Sequence, residues 1–189
     1  MPDQDQRCAW ARNASDLMKA YHDEEWGRPS RDDAYLFELL VLEGAQAGLS
    51  WSTVLGKREN YRRALHGFDR TRIAGYGQED TDRLLADPGI VRNRLKVASV
   101  VRNARSFERV REEYGSFAGY LWGWVDGEPV VNRATEPSQV PVSTPLSDRV
   151  SKDLKGRGFN FVGTTIVYSY LQAVGVVDDH LAGCPAASA

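Results

Sequence analysis

The sequence predicts an all-α protein, and two observations carry this prediction. Apolar residues recur every three or four positions along most of the chain, which is the spacing of one helix face. Capping residues such as Ser or Asp precede many of these segments and Gly often follows them, which marks helix starts and ends. No segment alternates apolar and polar residues for long enough to assign a strand.

The length and composition indicate one globular domain over residues 1–189. Of these residues, 42% are hydrophobic and 26% are charged, as in ordinary globular domains. A chain of this length buries a core without disulfides. It shows no signal-peptide pattern and no apolar run near the roughly 18 residues of a membrane span. We therefore expect a cytoplasmic monomer that does not enter the membrane.

Helices in the N-terminal half begin at recognisable caps. Ser15 is placed to cap "SDLMKAYHDEEWG", which ends at Gly27. Asp32 or Asp33 opens "AYLFELLVLEGAQAG", and Ser50 caps "WSTVLGKRENYRRALHGF". Short helices are expected in "DRTRIAGY" and "EDTDRLLAD".

One long amphipathic segment, "NRLKVASVVRNARSFERVREEYG", dominates the C-terminal half. Its apolar stripe consists of Val97, Val100, Val101, Ala104 and Phe107. Later helices are expected in "SFAGYLWGWV", "LSDRVSKDLKGRG" and "VGTTIVYSYLQAVG". A Pro-rich connection over residues 136–145 separates the first of these from the second.

An acid interrupts the apolar stripe of the second predicted helix. Leu36, Leu39 and Leu40 define its inward face, and Glu43 occupies the next position on that face. Such a carboxylate either reaches the rim or sits partly buried beside a specific donor or cation, and the second case indicates a functional site. A glutamate near the helix end whose side chain reaches water is the alternative. Trp51, in "GLSW", is expected to lie close to Glu43.

A tight turn joins two helical patterns in "LLADPGIVRNRLKV". From residue 88 to residue 107 there are five Arg or Lys residues and no acid. Gly89 permits a positive φ or a close backbone approach, and the amides that open the next helix are suited to hold a phosphate oxygen. These features predict a helix-hairpin-helix element over about residues 79–107 that grips a nucleic-acid backbone. On charge alone, solvated helix faces explain the pattern better, since the net charge is −2.

The cysteines and histidines point to a metal site. His180 and Cys184 stand four residues apart, so a helical segment there would direct both side chains to one spot. Cys8 and His22 supply the same residue types near the N-terminus. Two Cys and two His form a tetrahedral set that suits Zn²⁺. The spacing leaves two alternatives open: a buried free Cys8 with an exposed His22 and a disordered tail, or a Cys8–Cys184 disulfide.

Together these segments resemble the 3-methyladenine DNA glycosylase I family, the Tag-type enzymes of bacterial alkylation repair. The resemblance runs from "RCAW" to "HLAGC" and includes "YHDEEWG", "LEGAQAGLSW", "VLGKRENYR", "GIVRNRLK" and "GFNFVGTTI". It implies a helix-hairpin-helix DNA glycosylase fold whose N- and C-terminal segments are tied together by a structural Zn²⁺. The ligands implied are Cys8, His22, His180 and Cys184. One difference is that a single Cys precedes Pro185, where relatives can carry several.

The resemblance also implies a pocket for the damaged base. Its expected lining is Tyr21, Glu43, Trp51, Trp10 and Trp26. Glu43 is the catalytic candidate, because a carboxylate and an electron-rich ring favour a cationic methylated base over normal adenine.

A DNA-contacting surface is expected beside this pocket. The residues expected in it are Gln46, Leu49, Gly89, Arg92, Arg94 and Lys96. Gln46 and Leu49 lie in the loop between Glu43 and Trp51, where they are placed to fill the stack that a flipped nucleotide leaves.

The activity implied is hydrolytic excision of 3-methyladenine from alkylated double-stranded DNA, with free 3-methyladenine as the product. The damaged nucleotide would leave the stack at a cost on the order of a few kcal/mol, and no lysine nucleophile for strand cleavage is expected. Two other classes are a non-catalytic binder of damaged or branched DNA and a hydrolase with a catalytic zinc. Four protein ligands argue against the catalytic zinc, and the acid on an apolar stripe argues against the binder.

Overall fold

A computed structural model describes residues 5–187 of the protein. This part of the chain is mostly helical, as the sequence predicted. Its α-helices are α1 (Ala9–Arg12), α2 (Asp16–Glu24), α3 (Asp33–Gln46), α4 (Trp51–Leu55), α5 (Arg58–Ala64), α6 (Arg70–Ala74), α7 (Gln78–Ala86), α8 (Arg94–Tyr114), α9 (Phe117–Trp122), α10 (Pro145–Gly156) and α11 (Thr164–Ala173). Single 3₁₀ turns lie at His66–Phe68, Gly123–Val125 and Pro137–Gln139. No helix within residues 5–187 is both long and apolar enough to cross a membrane.

Two short strands are the exception to the helical pattern. Strands β1 (Val130–Val131) and β2 (Val177–Asp178) form a parallel pair in which Val130 lies opposite Val177. Each strand has two residues, which is too short for any alternation of side chains to appear in the sequence. The pair joins the segment after α9 to the segment after α11.

The predicted caps begin the helices that they precede. The side chain of Ser15 accepts from Met18 N, and that of Asp32 accepts from Ala34 N. Ser50 accepts from Thr53 N at 3.3 Å. Each cap satisfies one of the amides that a helix leaves unpaired in its first turn.

The segment predicted as one helix after Ser50 is divided into α4, α5 and a 3₁₀ turn. Gly56 ends α4, and the amide of Lys57 bonds to the oxygen of Val54, three residues earlier, at 2.9 Å. At the other end, His66 and Phe68 have φ values of 51° and 59°. Positive φ angles are incompatible with a right-handed helix, so the helical pattern stops there.

Helix α3 forms the centre of the core. Ten of its fourteen residues are buried, and it packs against α4, α8, α9 and α11. On α8 the predicted apolar stripe is largely confirmed: Val97, Val100, Ala104 and Phe107 are buried, whereas Val101 is half-buried. The central position of α3 explains why an acid on its inward face becomes enclosed.

A charged network fixes α5 beside α3. Arg58 Nη1 donates to both carboxylate oxygens of Glu25, at 2.7 and 2.8 Å, and Arg58 Nε donates to Glu38. Tyr35 donates its hydroxyl to Glu25 at 3.0 Å. Because Arg58 and Glu38 are both buried, each charge depends on the other for stabilisation.

Candidate ligand pocket and metal cluster

A pocket of about 700 Å³ opens between α2, α3, α4 and α11. The structure brings together in its wall six residues singled out in the sequence, which are Trp10, Tyr21, Trp26, Glu43, Gln46 and Trp51. They belong to four separate segments of the chain. The fold therefore places the expected pocket residues side by side.

The aromatic rings of the pocket meet at an angle. The Tyr21 and Trp51 ring centroids lie 5.2 Å apart with planes at 47°. Trp10 and Trp26 are also 5.2 Å apart, and their planes meet at 80°. Because these rings do not stack on one another, ring faces are left to contact a flat ligand.

Glu43 lies in the same wall and is only 3% exposed. Its Oε2 atom has no hydrogen-bond partner among residues 5–187, which corrects the expectation that a specific donor or cation of the protein would accompany it. Burial raises the pKa of the Glu43 carboxyl to about 8, because the charged form loses its hydration without gaining a partner. At pH 7 the group holds its proton until a cation or a strong donor enters the pocket.

Two further polar groups of the pocket are suited to a ligand. Trp51 Nε1 is buried and has no acceptor among the described residues. Burial, with a smaller contribution from the charge of Glu43, raises the pKa of Tyr21 well above its ordinary value, so the phenol remains a donor. A buried donor or acceptor without a partner is uncommon in native proteins. The pocket thus offers hydrogen-bonding groups to a ring that enters it.

Part of the wall was missed by the sequence analysis. Met18, Ser169, Gln172 and Asp179 also line the pocket. Asp179 is buried and accepts from Gln172 Nε2 at 2.6 Å and from Asn132 Nδ2 at 2.7 Å. Two consecutive acids in the apolar context of "VVDDH" were the available signal for Asp179.

A possible metal-binding cluster adjoins the pocket. The ligand atoms of Cys8, His22 and Cys184 all lie within 4.8 Å of one another, and all three residues are buried. His22 Nε2 lies 3.6 Å from Cys184 Sγ. Burial raises the pKa of the Cys8 thiol to about 12, so a bound cation is what would favour its thiolate form. The described cysteines are free thiols rather than a disulfide.

His180 lies next to this cluster without belonging to its close set. Its ring centroid is 5.1 Å from that of His22. His180 Nδ1 pairs with Asp178 Oδ1 at 2.7 Å, and His22 Nδ1 pairs with Asp23 Oδ1 at 2.8 Å. The buried Nε2 of His180 has no partner among residues 5–187. A carboxylate on Nδ1 with Nε2 left available is the usual arrangement of a metal-binding histidine.

The tail that carries two of these residues is not helical, which corrects the reasoning from their spacing. The described chain forms turns after β2, and Gly183 has a φ of +86° that ends any regular structure. The amide of Cys184 bonds to the oxygen of Leu181 at 2.9 Å. Since His22, His180 and Cys184 are all buried, the alternative of an exposed His22 with a disordered tail is wrong.

The turn between α7 and α8 differs in detail from the expectation. A Cβ on Gly89 would lie 3.0 Å from Asn60 Cβ, so the close approach is present, but the φ of Gly89 is not positive. The side chain of Asn93 accepts from the amides of Leu95 and Lys96 at 3.0 and 3.1 Å. These two amides are occupied internally, whereas the sequence predicted that amides here would hold a phosphate.

The side chains that follow this turn differ in their exposure to solvent. Arg92 and Arg94 are exposed, and Leu95 is 70% exposed. Lys96 is half-buried, and its ammonium group donates to backbone oxygens at the end of α3. The structure therefore corrects the expectation for Lys96, whose charge is directed inward and not toward a phosphate. In the loop after α3, Leu49 is 42% exposed.

Fold and site together define a helical protein with a pocket whose aromatic side chains and one buried carboxyl group are suited to a flat ligand that forms hydrogen bonds. Comparison with known proteins identifies the family. The chain belongs to the methyladenine glycosylase family, whose sequence model matches residues 10–187.

Individual relatives cover nearly the whole chain. It is 49% identical over 179 residues to DNA-3-methyladenine glycosylase 1 of Escherichia coli strain K12, and this match covers 95% of each chain. The solved structure of 3-methyladenine DNA glycosylase I from Staphylococcus aureus matches with a TM-score of 0.94 at 36% identity and covers 99% of both chains. A tyrosine-to-phenylalanine variant of 3-methyladenine DNA glycosylase I, in complex with 3-methyladenine, matches with a TM-score of 0.94 and 36% identity, covering 97% of this chain and 98% of that one.

Proposed function

We propose that the protein excises 3-methyladenine from alkylated double-stranded DNA by hydrolysing the N-glycosidic bond. One observation carries this proposal: Glu43 is an unpaired, buried carboxyl group in an aromatic pocket of a chain that belongs to the methyladenine glycosylase family. Relatives that cover nearly all of the chain are DNA-3-methyladenine glycosylases.

Selection follows from the charge of the lesion. 3-Methyladenine in DNA is cationic, so its arrival favours loss of the Glu43 proton. The base and the carboxylate then form an ion pair, which the burial of Glu43 strengthens. Normal adenine is neutral and gives no such compensation. Tyr21, Trp51 and their aromatic neighbours contact the ring faces and edges.

Cleavage needs little help from an acid. When the N-glycosidic bond breaks, its electron pair moves onto the base and neutralises the positive charge, so the base leaves as a neutral molecule. Water adds to the sugar carbon and loses a proton. Attraction to a cationic ground state does not by itself lower the barrier, so we expect strong selectivity with a modest rate enhancement. Among the described residues no lysine lines the pocket, which supports hydrolysis without strand cleavage.

The substrate is extruded from a duplex before it enters the pocket. Arg92 and Arg94 hold DNA phosphates through their exposed guanidinium groups. Gln46, which lines the pocket, and the exposed Leu49 fill the vacated position in the stack. The α7–turn–α8 unit acts as the helix-hairpin-helix element of a single, monomeric glycosylase domain.

Zn²⁺ fits the residues beside the pocket. Cys8, His22 and Cys184 lie close enough together to hold a cation, and with His180 they would supply two thiols and two imidazoles, a donor set that suits tetrahedral Zn²⁺. The buried, unpartnered Nε2 of His180 supports its place as the fourth ligand. When bound, the ion supplies a structural link between the N-terminal segment and the body, since four protein ligands leave no open position for water.

The test is release of free 3-methyladenine from alkylated duplex DNA by the parent protein and by Glu43→Gln. The variant keeps the shape and an oxygen acceptor but lacks the negative charge. We expect loss of excision, with affinity for undamaged duplex and zinc content unchanged. A parent protein that binds damaged DNA tightly but releases no base would instead be a non-catalytic binder. A variant that excises at the parent rate would show that shape and stacking suffice without charge.

A further inference from the structure

The ammonium group of Lys96 holds the end of α3. Lys96 Nζ donates to the oxygen of Ala45 at 2.8 Å and to that of Ala47 at 2.7 Å. These two residues lie on either side of the last residue of α3, Gln46. Lys96 belongs to the first turn of α8, far from α3 in sequence. A side chain from the hairpin therefore supplies donors to a neighbouring helix end.

The end of α3 needs such donors. The last carbonyls of a helix have no partner within the helix, and a cation near them also interacts favourably with the helix dipole. A glycine in the left-handed region often closes a helix by bonding back to these oxygens. Here Ala47 follows α3 with φ −44° and ψ 114°, outside the helical region, and Gly48 takes the positive φ only afterwards. Lys96 thus donates hydrogen bonds at a helix end that lacks the usual closure by a left-handed glycine.

The segment held in this way carries pocket residues. Gln46 lines the pocket, and Glu43 lies three residues before it on the same helix. Leu49 projects from the loop and is 42% exposed. Trp51 begins the next helix immediately after the loop. The contact made by Lys96 Nζ therefore helps to place the segment between Glu43 and Trp51.

A second lysine, Lys57 between α4 and α5, also contacts the hairpin turn. Lys57 Nζ donates to the oxygens of Pro88 and Gly89, both at 3.2 Å. Asn60 Nδ2 also donates to the oxygen of Gly89 at 3.2 Å. Lys96 therefore joins the hairpin to the end of α3, and Lys57 joins it to the start of α5, whereas Arg92 and Arg94 at the hairpin are exposed.

We propose that Lys96 is a positioning residue that couples docking of the hairpin on DNA to the placement of the Gln46–Leu49 loop in the flipped-base site. This inference rests on the proposed function. Two of the three ammonium protons already have protein acceptors, and burial lowers the pKa of Lys96 below its ordinary value. If Lys96 instead contacted a phosphate, its replacement would weaken binding to any duplex and reduce the salt dependence of that binding.

The test compares Lys96→Met, Lys96→Arg and the matched control Lys152→Met, since Lys152 is exposed on α10. Single-turnover excision should fall about tenfold or more in Lys96→Met, because charged hydrogen bonds to two carbonyls are lost. Lys96→Arg should recover much of this rate, and Lys152→Met should match the parent. The salt slope for undamaged duplex and the affinity for free 3-methyladenine should stay at parent values in all three.

Hydrogen exchange tests the contact of Lys96 with the end of α3 independently of catalysis. The amide of Leu49 bonds to the oxygen of Gln46, and we expect it to exchange faster in Lys96→Met than in the parent or in Lys152→Met. Equal exchange, or equal excision, in Lys96→Met and the parent would overturn the proposal. So would a salt slope reduced by about one, which would indicate a phosphate contact. A parent protein that releases no 3-methyladenine contradicts the proposed function instead, and the exchange result still decides whether Lys96 holds the loop.

Discussion

A carboxyl group buried as completely as that of Glu43 makes folding stability depend on pH. In the unfolded chain the group has its ordinary pKa of 4.5, and in the folded protein burial raises that pKa to about 8. Between these values the folded protein binds more protons than the unfolded chain. The free energy of unfolding therefore falls as pH rises through this window, by up to ~1.4 kcal/mol for each pH unit.

Glu43→Gln should remove this dependence. The amide stays neutral, so we expect the variant to gain stability relative to the parent as pH rises from 5 to 8, with little difference near pH 4. Urea unfolding of both proteins at several pH values measures the effect. Parallel stability curves over the whole range would mean that the carboxyl group is solvated or paired in the folded protein.

The sequence was informative about Glu43 because helix periodicity is a local property. Leu36, Leu39 and Leu40 are buried as predicted, and the position after them on the same face is buried too. That the carboxyl lacks a partner depends on which side chains other helices bring to it, which no local pattern contains. Asp179 was missed for the same reason, since its donors come from residues 132, 168 and 172.

At the scale of one element, the start of α8 should control general affinity for DNA. Arg92 and Arg94 are exposed there, and the nearby amides of Leu95 and Lys96 are already bonded to Asn93. We expect the double variant Arg92→Ala/Arg94→Ala to weaken binding to damaged and intact duplexes by the same factor. Its plot of log affinity against log salt should lose about two in slope, because each phosphate contact contributes about 0.9.

Filter binding or fluorescence anisotropy across a salt series provides this measurement. Arg149→Ala/Lys152→Ala, which removes two exposed cations from α10, serves as the control with the same change in net charge. If both double variants lose the same slope, the hairpin makes no special contact with DNA.

Helix starts were easier to predict than helix ends. Ser15, Asp32 and Ser50 act as caps because a side chain can bond only to amides a few residues away. The apolar periodicity did not predict the division between α4 and α5 or the positive φ of His66. The spacing of His180 and Cys184 was misleading in a similar way, because the chain between them forms turns and not the expected helix.

For the whole molecule, the metal cluster should be a determinant of stability. Cys184→Ala removes one of the proposed ligands, and we expect zinc content and melting temperature to fall together, the latter by roughly 10 °C for a loss of a few kcal/mol. Metal analysis with thermal unfolding checks this.

Cys184→His is the matched control, since imidazole remains a zinc ligand. It should retain more metal and a higher melting temperature than Cys184→Ala. Loss of metal at unchanged melting temperature would mean that the ion does not stabilise the fold.

The mostly helical class was predictable from composition and periodicity, but the complete pocket was not. Its wall combines residues near the N-terminus with Ser169, Gln172 and Asp179 from the other end of the chain. In advance, the two ends were brought together only by the Cys and His residues near each of them and by the resemblance to a known family. Local physical chemistry defines each helix, whereas the pocket is a property of how distant helices meet.

The distance along the chain between the halves of the metal cluster has a consequence for the order of folding. His22 and Cys184 are 162 residues apart, and Leu181 bonds to Cys8 across 173 residues. Contacts this distant form after the local helices, because a long loop has to close first. Trp10, Trp26 and Asp179 are next to or near the clustered residues in sequence and also line the pocket. During refolding, helical circular dichroism should therefore recover before affinity for free 3-methyladenine does.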